Sequence, residues 1–334
     1  MTKSRRMMSI GIALLLVLTI GLTGCTSNGE SAESAAGQQV ADNKSEASAE
    51  KASESSGETR VVKDEFGDVT IPAHPKRIAA IYLEDYLKAL DVTPIVQWYH
   101  PSWGKQDYLG LDVPTFDIMG SIEALLEKNP DLILVDGGAD AAKYELYSKI
   151  APTYRLPEGI LQSPPEILKK IADVLGIPEK ADNVLKQYEQ KVADVKAKLH
   201  EAAGDQSVAV VRLNVGENTL ALFGVNNRFV GNIYSQLGLT PHPFARDMKE
   251  FQAILSEEKI PELDADHIIL FPSNGSWDSV ENQESIKYLD NPLWKSLPAV
   301  KNGHVYIAER THWQSGAFTA NMMKMDDLLK WLVK

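Results

Sequence analysis

The chain has 334 residues, with 34 basic and 46 acidic side chains, a formal net charge of −12 and a single cysteine. This acidic balance argues against nucleic-acid binding and against adhesion of the protein surface to anionic lipid. With one cysteine, the chain has no internal disulfide.

The N-terminus has the pattern of a secretory signal peptide. Three basic residues precede the apolar run 7–20, which is too short and wrongly flanked to span a membrane. The stretch Leu-Thr-Gly-Cys that ends at Cys25 resembles a bacterial lipobox, in which the thiol receives a diacylglyceryl group. The alternative, a buried core cysteine behind an ordinary signal, has little core to join so close to the apolar run. We therefore predict a signal peptide over 1–24 and a lipid anchor on Cys25, with dual acylation giving stable attachment.

The segment after the cysteine is almost entirely small or polar. Residues 26–59 contain Val40 as their one large apolar side chain. Such a composition buries too little surface to offset its ordering entropy, so we predict a disordered tether over 25–60. A flexible coil of this length reaches roughly 30 Å. Without the signal peptide, 31 basic and 46 acidic residues remain, a formal charge of −15.

The first part of the body alternates strands with helices. The pattern predicts a hairpin over 61–72, strands over 77–82, 93–97 and 131–135, and helices over 83–90 and 121–128. The strand 93–97 opens into an aromatic loop, 98–103. This alternation is typical of a parallel sheet covered by helices on both faces.

The middle of the body is helical. A helix is predicted over 165–175, stopped by Gly176 and Pro178, and a longer one runs from Pro178 to about Ala203 without internal Gly or Pro. A helix of about 25 residues spans roughly 37 Å and predicts a rigid spine between two halves.

The second half restarts the alternation, with predicted strands over 207–213, 267–271 and 304–307 and a helix over 229–237. The fold prediction is therefore two α/β lobes with central, mainly parallel sheets joined by one long rigid helix. We place the N-terminal lobe at 61–165, the connecting helices at 166–203 and the C-terminal lobe at 204–334.

One short pattern occurs in each half. Glu123 precedes Asp131 by eight residues, and Glu258 precedes Asp266 by eight; each Asp leads a buried strand. This repeat indicates lobes related by an approximate two-fold, with equivalent glutamates at equivalent tips.

Four stretches, with the lipobox and the spine, resemble the siderophore-binding branch of bacterial ABC-transporter solute-binding lipoproteins, a branch that includes cobalamin and haem binders. The stretches are 70–78, 121–133, 258–268 and 291–306. The resemblance implies a ferric siderophore as ligand, a shallow cleft between the lobes, and a permease with its ATPase as partners. We expect a monomer anchored to the cell membrane of a Gram-positive bacterium.

The resemblance also implies that Glu123 and Glu258 dock onto permease arginines. The alternative is that both are ordinary solvated carboxylates at helix starts, where the helix dipole favours negative charge.

A siderophore cleft needs flat aromatic walls and a few cationic donors. Ligands of open α/β sheets bind outside the carboxyl ends of strands, and the candidates near such ends are Tyr82, Trp98, Tyr99, Trp103, Arg212, Phe223, Arg228, Trp277, Arg310 and Trp313. We rank Arg212 first, because members of the family often keep a cleft arginine at that strand end and a guanidinium suits bidentate contact with ligand oxygens. A structural ion pair for Arg212 and core positions for the aromatic residues are the alternatives.

The ligand class follows from charge. A triply charged catecholate complex favours several basic residues, and no second arginine follows Arg212 by two residues. A hydroxamate or mixed citrate–hydroxamate siderophore is therefore favoured, although Lys105, Arg228, Arg246 and Arg310 could still converge. Iron is expected to bind only through the siderophore, with no cofactor and no metal ligand from the protein.

Three alternatives remain open at this point. A haem or cobalamin receptor of the same family is one, and haem would need an axial ligand such as Tyr99, His100, Met119 or His312. A zinc or manganese receptor would need grouped ligands, but the seven histidines are scattered. An enzyme is the third, but the nucleophile-elbow, zincin, P-loop and dinucleotide motifs are missing.

Overall fold

The computed structural model describes residues 57–333. The predicted signal peptide, Cys25 and nearly all of the predicted tether lie outside these residues. At the start of the described chain, β1 (Thr59–Lys63) and β2 (Asp68–Pro72) form the predicted antiparallel hairpin. Its turn is closed by the Asp64 carboxylate, which accepts hydrogen bonds from the backbone N–H groups of Phe66 and Gly67 at 2.8 and 3.0 Å.

The N-terminal lobe is built on a parallel sheet with the strand order β3 (Ile78–Ile81), β6 (Leu132–Val135), β7 (Thr153–Arg155). Every residue of these strands is buried, as expected for a sheet covered on both faces. Three helices accompany it: α1 (Glu84–Ala89), α2 (Glu123–Leu126) and α3 (Ala141–Ser148).

The strand predicted over 93–97 is wrong in position. The strand there is β4 (Gln97–Tyr99), which pairs in parallel with β5 (Thr115–Asp117). The apolar stretch 93–96 contains Pro94, which has no N–H to give to a sheet, and pairing begins only at Gln97. Trp98 and Tyr99 therefore belong to a strand and not to a loop.

The two connecting helices are close to the predicted ones. Helix α4 (Pro164–Leu175) ends at Gly176, whose φ of 73° reverses the chain, and α5 (Pro178–Ala203) follows. The 26 residues of α5 span about 39 Å. Its buried stripe, which includes Leu185, Tyr188 and Leu199, joins the core that spans both sheets.

The C-terminal lobe has a six-stranded mixed sheet. Its strands are β8 (Ser207–Asn214), β9 (Thr219–Phe223), β10 (Thr240–Pro241), β11 (Gln252–Leu255), β12 (His267–Pro272) and β13 (Val305–Ile307). The main order is β11-β9-β8-β12-β13, with β10 beside β8. Strands β8, β10, β12 and β13 are parallel, whereas β9 runs antiparallel to both of its neighbours, β8 and β11. The strands β9, β10 and β11 were not predicted.

Seven helices complete this lobe: α6 (Gly231–Ser235), α7 (Pro243–Arg246), α8 (Val280–Ile286), α9 (Pro292–Lys295), α10 (Pro298–Lys301), α11 (Arg310–Trp313) and α12 (Phe318–Leu332). Helix α12 packs against α5 and against α1 of the other lobe. Asp85 of α1 accepts hydrogen bonds from the backbone N–H groups of Thr319 and Ala320 at 2.7 and 3.1 Å. A carboxylate of the N-terminal lobe thus caps a helix of the C-terminal lobe.

The repeat in the sequence has a structural counterpart. Asp131, which leads β6, accepts hydrogen bonds from the backbone N–H groups of Lys76 and Arg77, just before β3. Asp266, which leads β12, accepts one from the backbone N–H of Ser207 at the start of β8. Each aspartate therefore joins the starts of two neighbouring parallel strands. No helix within 57–333 is long and apolar enough to cross a membrane.

Candidate functional site

A cavity of about 340 Å³ lies between the two lobes. Its N-terminal side is formed where strands end: Tyr82 follows β3, Asp136 follows β6 and Leu156 follows β7. Its C-terminal side comes from two segments, Arg228–Phe229 and 310–317, and its remaining lining includes the start of α4. This is the position expected for a ligand of open α/β sheets.

Five of the ten predicted ligand-binding residues line this cavity: Tyr82, Trp98, Trp103, Arg228 and Arg310. The structure therefore brings together aromatic residues of one lobe with arginines of the other.

Two aromatic side chains form one wall. The rings of Tyr82 and Trp98 lie 4.9 Å apart at a tilt of 43°. Tyr82 has a φ of 66°, in the left-handed region that a bulky residue rarely adopts. Burial, followed by the nearby Asp136 carboxylate, raises the pKa of the Tyr82 hydroxyl to about 12. Strained backbone of this kind is found at ligand sites, where the surrounding structure holds it in place.

The backbone of Trp98 is held by a buried glutamate, Glu84. Its N–H donates to Glu84 Oε1 at 2.7 Å, and Glu84 is wholly buried. The indole N–H of Trp98 is buried without an acceptor among the described residues. A ligand oxygen in the cavity could accept this hydrogen bond, since an unpaired buried donor is costly.

The aromatic loop after β4 is held by the opposite lobe. The rings of His100 and Trp103 stack at 3.9 Å, and the backbone closes a bridge between His100 and Gly104. Arg310, at the start of α11, donates from Nη2 to the carbonyl oxygen of Trp103. Arg310 is only 8% exposed, and its Nε has no partner in the described structure. One guanidinium thus bridges the lobes and keeps a free donor.

The charges on the cavity wall are mixed. Among the described residues, the lining cations are Lys105, Arg228 and Arg310, and the lining carboxylate is Asp136. Burial raises the pKa of Asp136, and the positive charges of Arg228 and Arg155 oppose that rise. Lys105 also forms an ion pair with Asp107 at 3.3 Å. The cavity therefore suits a ligand that is neutral or moderately anionic and rich in oxygen atoms.

Residues 89–310 match the family of periplasmic binding proteins. The chain belongs to this family. It is 32% identical to the iron(3+)-hydroxamate-binding protein FhuD of Bacillus subtilis, with 87% of each chain covered. It is 29% identical to the probable siderophore-binding lipoprotein YfiY of the same organism, with 84% of this chain and 90% of the relative covered.

A solved structure gives the same result for the fold. It is a periplasmic binding protein component of a Fep/Fec-like ferrichrome ABC transporter from Bacillus subtilis, described as a member of the FhuD fold family. The TM-score is 0.69 at 27% identity, covering 82% of this chain and 100% of the other. This periplasmic binding protein therefore has the expected two-lobed fold and is a binding protein, not an enzyme.

Two predicted ligand residues of this periplasmic binding protein lie in its core. Phe223 is wholly buried because it ends β9, a strand inside the sheet. The centroid of its ring lies 5.5 Å from that of Phe271. Trp313 is also wholly buried, with its indole N–H donating to Asp327 at 2.8 Å. Both side chains pack inside the lobe and do not reach the cavity.

Three more predicted residues lie away from the cavity lining. Tyr99 ends β4 and is partly exposed. Trp277 donates its indole N–H to the carbonyl oxygen of Ala308 at 2.8 Å. Arg212 is partly buried on β8, where its Nε donates to Asn214 at 2.9 Å and its guanidinium lies 5.4 Å from the Phe223 ring centroid.

Several lining residues were not among the predicted site residues. Asp136 could have been found, because it follows a buried strand in the stretch Asp-Gly-Gly. Lys105 was noted only as a charge that could converge. Gln106 and Gln314 lie in irregular segments, and no sequence signal singled them out.

The predicted docking glutamates are both exposed. Glu123 is the first residue of α2, and the Ser121 hydroxyl donates to its carboxylate, which holds the pKa of Glu123 below its usual value. Glu258 lies in a short 3-10 helix over Glu257–Glu262.

Proposed function

We propose that this protein is the extracytoplasmic binding component of an ABC importer and that its cavity binds a ferric siderophore. The observation that carries the proposal is the lining: the aromatic residues Tyr82, Trp98 and Trp103 and the basic residues Arg228 and Arg310 line one cavity. Flat rings suit the apolar faces of a siderophore complex, and guanidinium groups suit its oxygen atoms. The names of two relatives, an iron(3+)-hydroxamate-binding protein and a siderophore-binding lipoprotein, support it.

Within this proposal, a hydroxamate or mixed citrate–hydroxamate complex is favoured over a catecholate. Three basic residues line the cavity, Lys105, Arg228 and Arg310, and Asp136 lines it as well. The negative charge of the half-buried Asp136 opposes a triply negative complex more than an uncharged one, because repulsion is strong where water is excluded. The carboxylate is thus the group that selects against the catecholate class.

Haem is the rival ligand, and the lining argues against it. Haem iron needs an axial His, Met, Cys or Tyr. Among the described residues that line the cavity, Tyr82 and Tyr86 are the candidates. Burial raises the pKa of both hydroxyls, that of Tyr82 to about 12, so each would have to give up a proton in a buried site before it could bind iron.

We also propose that Cys25 carries a lipid that holds the protein on the outer face of the cell membrane, and that Glu123 and Glu258 dock onto the permease. Each glutamate is exposed, and each precedes by eight residues an aspartate with an equivalent role in its own sheet. Equivalent placement on two lobes suits a partner that contacts both.

The deciding experiment is a tryptophan-fluorescence titration of the full chain in detergent with ferrichrome, ferric citrate and ferric bacillibactin, with haemin and cobalamin as rivals. We expect strong quenching by ferrichrome and weaker or no response to the catecholate. Quenching by haemin or cobalamin alone would overturn the proposal.

Matched variants locate the site. Trp103→Phe should reduce the quenching amplitude, whereas Trp294→Phe, in a buried cluster away from the cavity, should not. Arg228→Gln should weaken binding more than Arg212→Gln. The reverse order would favour the ranking made from the sequence and would place the ligand outside the cavity described here.

A further inference from the structure

Lys324 is a fully buried cation on α12, directly behind the cavity. Its ammonium donates to the carbonyl oxygens of Phe229 and Ser315, and to Asn321 Oδ1 at 3.1 Å. Its three hydrogen bonds therefore end on neutral oxygens.

The two carbonyls belong to the two segments that form the C-terminal side of the cavity. Phe229 and Ser315 both line it, and they are separated by 86 positions in the chain. The segments approach so closely that a Cβ atom on Gly316 would lie 2.3 Å from the carbonyl oxygen of Arg228. Asn321 adds a second link, because its side-chain NH₂ donates to the Gly316 carbonyl at 3.0 Å.

The same region is tied to the N-terminal lobe. Asp85 caps α12 and accepts a hydrogen bond from the Tyr108 hydroxyl at 2.7 Å, and that hydroxyl lies 3.4 Å from Ser315 Oγ. Lys324 thus holds a wall that is also braced from across the cavity.

Resting on the proposed function, we propose that Lys324 is a positioning residue for ligand binding: its ammonium clamps the Phe229 and Ser315 carbonyls together and so fixes Arg228 and the 315–317 segment against the ligand. The clamp would thus set the geometry of the side of the cavity that carries Arg228.

The cost of this arrangement supports a role beyond packing. An ammonium taken out of water loses its hydration, and an apolar side chain of the same volume often stabilises a core better. Burial lowers the pKa of Lys324 to about 7, and the Asp85 carboxylate opposes this. A charge kept in such a place stabilises one backbone geometry more than it stabilises the fold.

The test compares Lys324→Met with Leu328→Ala, one turn further along α12 and wholly buried. Ferrichrome is the probe, because its ferric complex is uncharged and reports geometry more than electrostatic attraction. The dissociation constant and the urea midpoint are measured on the full chain at pH 6. For Lys324→Met we expect an affinity loss of about tenfold or more, since a charged hydrogen-bond donor is lost, with little change in midpoint. For Leu328→Ala we expect the reverse, a lower midpoint with unchanged affinity. Equal affinity losses in both variants would overturn the proposal.

Asn321→Ala tests the same clamp if the Lys324→Met variant does not fold. It removes the link to Gly316 and one partner of the ammonium, and should weaken ferrichrome binding by a smaller factor. Unchanged affinity in a folded Asn321→Ala would contradict the clamp.

Amide hydrogen exchange separates this inference from the proposed function. In the ligand-free protein, amide hydrogens over 229–232 and 315–317 should exchange faster in Lys324→Met than in the wild type, with exchange in α12 itself unchanged. If the wild type binds no siderophore, the proposed function fails and the exchange rates alone decide whether the clamp exists. Unchanged exchange over both segments would overturn it.

Discussion

The carboxyl group of Glu84 should make the protein less stable as the pH rises. Glu84 is wholly buried at the start of α1; Oε1 accepts the backbone N–H of Trp98 at 2.7 Å, and Oε2 has no partner among the described residues. Burial raises its pKa from 4.5 to about 8, and the nearby Asp136 and Asp85 carboxylates act in the same direction.

The sign follows from proton binding. Between about pH 4.5 and pH 8, the unfolded chain has an ionised Glu84 while the folded chain keeps the proton. The folded state therefore binds one more proton, and this group lowers the free energy of unfolding by about 1.4 kcal/mol for each pH unit. Its stabilising effect is complete below the unfolded pKa and is lost as the pH approaches 8.

Glu84→Gln removes this dependence with little change in shape. The amide oxygen can still accept from Trp98, and the side chain is neutral at every pH. From pH 5 to pH 7, the stability of the variant relative to the wild type should rise by roughly 2 to 3 kcal/mol. Urea unfolding at pH 5, 6 and 7 measures this, with the exposed Glu189→Gln on α5 as the control for loss of one negative charge. Parallel pH profiles for wild type and Glu84→Gln would refute the reasoning.

Three further predictions concern the cavity and the docking surface. Arg310→Gln should weaken ferrichrome binding by about tenfold, because it removes both the link to the Trp103 carbonyl and a free donor; an unchanged dissociation constant by calorimetry would contradict this. Tyr82→Gly should be more stable than Tyr82→Ala by about 1 kcal/mol, since the φ of 66° strains any side chain, and both should bind ligand weakly; equal urea midpoints would speak against backbone strain. Glu123→Ala combined with Glu258→Ala should leave ferrichrome affinity unchanged and reduce iron uptake by cells; normal uptake would remove these glutamates from the docking surface.

The sequence predicted the parts of the fold that depend on local pattern. Helix α5 was predicted from Pro178 to about Ala203, close to its observed bounds, because an apolar stripe runs through this stretch without a helix breaker. The strands β3, β6, β8 and β12 were found because they are buried on both faces and read as continuous apolar runs. The short helices α2 and α6 were predicted too long, since their flanking residues are held by turns that periodicity does not show.

The strands β9 and β11 were missed for a different reason. Strand β9 follows β8 through a tight turn in which Gly216 and Asn218 have positive φ, a hairpin signal within an otherwise parallel pattern. Because alternation of strands and helices guided the prediction, Phe223 was placed at a strand end facing the ligand. In the structure Phe223 is the last residue of β9, and its side chain is buried in the core of the lobe.

The cavity itself could be predicted only in part, because its walls meet through contacts between distant segments. The search near strand ends selected Tyr82 and Trp98, which line the cavity, but it also selected Arg212, whose guanidinium lies over the Phe223 ring and not in the cavity lining. The contact between Arg310 and the Trp103 carbonyl joins residues 207 positions apart, and no local pattern records it.

Buried ionisable groups hold the walls of this cavity in place. Asp85 caps α12 from the other lobe, Lys324 clamps two wall segments, and Glu84 holds the Trp98 backbone. Each is an ionisable group placed where burial penalises its charged form, so each costs stability that a hydrocarbon side chain would not. These groups instead fix geometry, because a hydrogen bond holds a backbone segment at a defined distance and angle, whereas apolar contact has no preferred direction. We therefore expect little closure of the lobes on ligand binding, with selectivity arising from a cavity whose shape exists before the ligand arrives.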